Sequence, residues 1–195
     1  ESYAYLPKHD ILASGALDKT IRLWNISNGD LIKTITGHTE AVNNLVVLPN
    51  GYLASSAYSN KVRIWNSDKK FSLERLISIS GLKSVAAMAL LNDGNLAIGD
   101  SVQGDIFIVN PKNGSLVKKI LGVAETTITR IVVMSNGDFI SSLAYSSIKV
   151  WNGSDYSLKK TITTQDYCSD IAVLQNEYLA CGTYNYTLIW DINTS

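Results

Sequence analysis

Short apolar runs bounded by small polar turns recur along the whole chain. Residues 11–25 read ILASGALDKTIRLWN, two apolar runs around the polar stretch 14–20. In the second run Ile21 and Leu23 alternate with Arg22 and Trp24, the period-two pattern of a half-buried strand. The pattern returns at 52–66 (YLASSAYSNKVRIWN), 139–152 (FISSLAYSSIKVWN) and 178–191 (YLACGTYNYTLIWD). A degenerate copy at 95–110, NLAIGDSVQGDIFIVN, carries Val109 where the others carry tryptophan. A more continuous apolar run precedes each later copy, at 42–48, 85–91, 128–134 and 171–174; 3–6 is the end of such a run in the first. An outer run comes after each of the first four copies, at 31–35, 73–77, 116–120 and 158–162. The pairs Asn50-Gly51, Asp93-Gly94 and Asn136-Gly137 supply hairpin turns between them. No long segment has helical periodicity, so the reading is all-β.

The spacing selects the architecture. Trp24, Trp65, Val109, Trp151 and Trp190 succeed one another at 41, 44, 42 and 39 positions. A repeat of roughly 40–45 residues holding several short strands predicts a propeller blade, because one such sheet cannot bury both of its faces alone. The chain resembles the WD-repeat β-propellers, whose repeat runs from Gly-His to Trp-Asp. Gly-His occurs once, at Gly37-His38; Trp-Asp occurs at Trp190-Asp191 and is Trp-Asn at Trp24, Trp65 and Trp151. The resemblance implies four-stranded antiparallel blades over approximately 1–36, 37–79, 80–122, 123–164 and 165–195. That is four full blades and three strands of a fifth. It also implies a larger, seven-bladed ring, with further blades of the same parent chain or a second chain completing it. Closure as a compact five-bladed ring is the other arrangement.

In that family a buried network joins the histidine, a serine of the second strand, an aspartate of the following turn and the tryptophan. Matching positions here are Ser14, Asp18 and Trp24 in the first blade and His38, Ser55 and Trp65 in the second. Ser59 stands at the aspartate position of the second blade. Trp151 and Trp190 hold the tryptophan position without a histidine. No blade has the full set.

Composition narrows the function. Seventeen basic residues balance seventeen acidic ones, so no net field draws the chain to nucleic acid or to a membrane surface. No apolar run reaches the length of a membrane span. Two histidines and two cysteines, scattered, predict no metal site. Nothing resembles a nucleophile elbow or a phosphate-cradling glycine loop, so the chain reads as a non-enzyme without a cofactor. Paired lysines on or near the outer strands read as protection against edge pairing. Cys168 and Cys181 sit at strand ends of one hairpin, and simple register does not set them opposite. Free thiols in a cytoplasmic, reducing setting are therefore expected.

The turns between second and third strands carry Tyr58, Tyr145, Tyr184 and Tyr186, with Leu17 and Val102 in the first and third blades. The blade-opening loops add His38, Glu40, Lys83 and Tyr167. The resemblance gathers both sets on one face. Tyrosine offers a large contact area with few torsions to freeze, which suits recognition of a protein or peptide. Packing of some tyrosines between blades is the alternative for those residues. A carbohydrate-binding propeller is the alternative for the function.

Overall fold

The computed structural model describes residues 2–121, 126–144, 147–164, 167–174 and 178–192. Their apolar runs form strands, with one short 3-10 turn at Ser67–Lys69. The first sheet is β1 (Ser2–Leu6), β2 (Ile11–Gly15), β3 (Ile21–Asn25) and β4 (Leu31–Ile35). The second is β5 (Val42–Val47), β6 (Leu53–Ala57), β7 (Lys61–Asn66) and β8 (Ser72–Ser78). The third is β9 (Val85–Leu90), β10 (Leu96–Asp100), β11 (Ile106–Val109) and β12 (Leu116–Ile120). The fourth is β13 (Ile128–Val133), β14 (Phe139–Leu143), β15 (Ser147–Trp151) and β16 (Leu158–Thr163). The fifth has β17 (Asp170–Val173), β18 (Tyr178–Gly182) and β19 (Thr187–Asp191). Each is an antiparallel meander in chain order.

Successive innermost strands pack side by side, β1 on β5, β5 on β9, β9 on β13 and β13 on β17. Polar side chains tie them: Asn43 and Asn44 donate to the carbonyls of Val85 and Ala86, and Arg130 forks onto Asp170 at 2.6 and 3.0 Å. Four apolar cores lie between consecutive sheets, one per interface. This is the propeller arrangement, and the row of sheets does not close.

Among the described residues, the first and last faces of the row lack a sheet against them. On the first, Tyr5, Leu12, Trp24 and Leu31 form one cross-strand row, and all four remain partly or largely exposed. The matching row of the second sheet includes Leu53 and Trp65, which are buried against the first sheet. At the other end the sign is a glycine. A Cβ on Gly15 would lie 2.5 Å from Val42 Cγ1, and one on Gly99 2.6 Å from Ile128 Cγ2, so the next sheet's β-branched residue occupies that space. On Gly182, in the same strand position, the nearest atom would be Ser169 Oγ at 3.7 Å.

The free-thiol expectation is overturned. Cys168 and Cys181 form a disulfide with Cα atoms 5.5 Å apart. The ladder sets Ile171, not Cys168, opposite Cys181, as register alone implied. However, the chain before β17 curls back, with Ser169 N and Oγ both donating to Gly182 O at 2.9 Å, and this brings Cys168 over the hairpin. Both residues are buried in the core between the fourth and fifth sheets. The cysteines therefore no longer argue for a reducing compartment.

Candidate functional site

The tryptophan positions show how each sheet is held. Trp24, Trp65 and Trp151 donate their indole N–H to Ser14, Ser55 and Ser141 Oγ at 2.8, 2.8 and 2.9 Å. Each serine lies on the neighbouring strand, two residues beyond the tryptophan's register partner. In the third sheet the same places hold Ile98, Phe107 and Val109, all fully or almost fully buried. A polar network is replaced there by apolar packing. In the fifth, Cys181 takes the serine place on the strand beside Trp190 and is bridged to Cys168.

His38 extends the serine–tryptophan pair of the second sheet, where Arg63 rather than an aspartate is its other partner. Its Nε2 lies 2.7 Å from Ser55 Oγ, and Arg63 donates to its Nδ1 at 3.1 Å. A guanidinium is always a donor, so Nδ1 accepts and Nε2 carries the proton. The ring is neutral. Burial, then the Arg63 charge, depress its pKa from 6.5 to about 4. Ser55 is fully buried, so the Ser55–His38 pair has no access to substrate and is structural. Asp18 does not join the Ser14–Trp24 pair. It accepts from Thr20 N and Oγ1 and from Arg22, chiefly the Thr20 bonds holding its carboxyl below the ordinary range.

The second-to-third-strand turns and the sheet-opening loops meet at one end of the sheets, stitched by backbone bonds. Val42 N donates to Ala16 O at 3.1 Å, Val85 N to Ser59 O at 3.0 Å, Ser101 N to Ser84 O at 2.9 Å and Ala144 N to Thr127 O at 3.0 Å. On this end Tyr58, Tyr167, Tyr184 and Tyr186 are exposed, Tyr184 at 91%. The rings of Tyr167 and Tyr184 stand 6.5 Å apart. Glu40 and Lys83 are exposed beside them, whereas His38 is buried and offers a partner no surface. Tyr145 lies outside the described residues. Leu17 and Leu121 add exposed apolar surface here, the second not flagged by the repeat pattern because it lies in a linker. The structure also shifts these equivalences. Counted from the tryptophan-position pairs and the backbone bonds, Ser101, not Val102, stands at the Tyr58 position in the third sheet, and Ala144 stands there in the fourth.

Among the described residues, no group of three His, Cys, Asp or Glu side chains is placed to hold a metal ion, and no helix is long and apolar enough to cross a membrane. The family model for the WD domain, G-beta repeat, matches residues 2–25 and 29–66, the first two sheets. Residues 2–25 and 29–66 thus match WD repeats, and this match together with the relatives supports a WD-repeat family for the chain. Over 69 residues, 35% of its length, it is 45% identical to nuclear distribution protein nudF 2 of Talaromyces marneffei, covering 15% of that protein. Over 190 residues, 96% of its length, it is 25% identical to the periodic tryptophan protein 2 homolog of Schizosaccharomyces pombe, covering 20% of it. Periodic tryptophan protein 2 of Arabidopsis thaliana is 23% identical over 194 residues, with 21% covered. The chain thus spans about a fifth or less of these relatives. WD-repeat proteins generally serve as protein-interaction scaffolds.

Proposed function

We propose that this WD-repeat chain is a non-enzymatic scaffold that binds a protein or peptide through the loop end of its sheets. Tyr58, Tyr145, Tyr167, Tyr184 and Tyr186 would form the contact, with Glu40 and Lys83 at its edge. The supporting observation is the set of exposed tyrosines fixed by backbone bonds to rigid sheets. Large aromatic surface held without mobile backbone reduces the ordering cost of association. The near-neutral charge fits a partner recognised by shape and aromatic contact. The test replaces Tyr58, Tyr184 and Tyr186 by Ala in the intact protein. Loss of the protein's native co-purifying partner, at unchanged melting temperature, is expected; retained binding overturns the reading.

We infer also that both open faces of the sheet row are covered in the working protein, by further repeats of the same parent or by a second chain. The exposed row through Trp24 and the unfilled place at Gly182 support this, since each matches a place that is covered inside the row.

A further inference from the structure

At the end of the sheets opposite the tyrosine turns, the first three interfaces are closed by the same clamp. A cation on a fourth strand reaches a backbone carbonyl in the next sheet: Lys33 to Lys70 O at 2.5 Å, Arg75 to Asn113 O at 3.4 Å and Lys118 to Asp155 O at 2.5 Å. The residue after each carbonyl has a positive φ: Phe71 at 57°, Gly114 at 79° and Tyr156 at 61°.

The three interfaces differ in the side chain that this positive-φ residue carries. Between the first two sheets Phe71 is buried, its ring 6.3 Å from that of His9 in the first sheet's opening turn. Between the third and fourth, Tyr156 is buried. Its hydroxyl donates to Asp93 and accepts from Asn95 at 3.2 Å, and Lys118 Nζ lies 5.7 Å from the ring centroid. Between the second and third, Gly114 contributes no side chain. A cleft of about 630 Å³ lies at that interface, within the roughly 300–1,000 Å³ of ligand pockets. It is lined by Leu48, Asn50, Tyr52, Ile64, Arg75 and Lys112, among others. Asn50 and Tyr52 stand where Asp93 and Asn95 stand one sheet later, and Arg75 stands where Lys118 does.

We propose that this cleft is a binding site for an aromatic side chain, tyrosine first, presented by a protein partner. The inserted ring takes the place that Phe71 and Tyr156 fill in the flanking interfaces. Leu48 and Ile64 form its apolar floor, Arg75 supplies a cation for the ring face, and Asn50 meets the phenol. The site lies at the opposite end of the sheets from the tyrosine turns, so it neither depends on that surface nor fails with it.

The probe is N-acetyl-tyrosinamide, titrated into the intact protein with methyl resonances observed by NMR. Saturable shifts of the Leu48 and Ile64 methyls are expected, at least fivefold larger than with N-acetyl-leucinamide at equal concentration. Gly114→Tyr should abolish them, because it places a ring at the position from which Phe71 and Tyr156 fill the flanking interfaces. Arg75→Ala, at an exposed position, should weaken the tyrosinamide response severalfold and serves if Gly114→Tyr does not fold. No saturable shift, an equal response to the leucine amide, or an undiminished response in a folded variant overturns the proposal.

Discussion

At the scale of single residues, three tryptophan–serine bonds do the same work under different exposure. Trp65 and Trp151 are each 4% exposed, whereas Trp24 is only half-buried on the open first face. Trp65→Ala should therefore cost about 3–5 kcal/mol, and Trp24→Ala distinctly less, as read by chemical denaturation. His38 gives a pH signature. Its folded pKa of about 4 lies below the ordinary 6.5, so between those values the unfolded chain binds a proton that the folded chain refuses. Stability is full above 6.5 and falls as the pH drops toward 4. The fall should reach a few kcal/mol at most, at about 1.4 kcal/mol per pKa unit. Melting temperature measured across this range should drop less steeply in His38→Asn than in the native protein. Ser14, Ser55 and the tryptophans were legible from the repeat. Asp18 was misplaced, because an aspartate two residues before a threonine is captured by the local turn before it can reach a buried network.

At the scale of strands and sheets, alternation and period are enough to lay out all five sheets, since a one-residue slip would turn every buried side chain outward. What escaped is geometry that a ladder count does not contain. The Cys168–Cys181 bridge depends on the curl at Ser169, and the plugs Phe71 and Tyr156 depend on left-handed backbone at non-glycine residues. The bridge yields a specific expectation. Cys181 holds the place of Ser55, and Cys168 the place of Val42 at the start of an innermost strand. Reduction or Cys168→Ser alone should lower stability, by about 2–4 kcal/mol for a typical disulfide. The pair Cys168→Val with Cys181→Ser restores the pattern of the other sheets, lets Trp190 donate to a hydroxyl, and should recover most of the loss. Gly99→Val should cost more than the roughly 1–3 kcal/mol usual for overpacking, since Ile128 already fills the space. Gly182→Ala, with no atom closer than 3.7 Å, should change little in this chain alone. Thermal melts of these variants compare the two ends directly.

At the scale of the whole molecule, the open faces govern behaviour in solution. Exposed apolar faces and unpaired edge strands favour association. Light scattering on the isolated chain should show self-association, and a monodisperse, stable monomer would mean that the faces need no cover. The loop end is held by backbone bonds from sheet to sheet, and it was the resemblance to WD-repeat propellers, not the tyrosine spacing, that implied these turns share one end. Its composition was not fully legible: His38 belongs to the interior, and Leu121 belongs to the surface.

The clamps formed by Lys33, Arg75 and Lys118 each span a single interface. A gene encoding such a chain can duplicate or delete one whole module by unequal recombination, and the new junction inherits a working latch from its neighbours. Divergence is then free to act on one socket at a time.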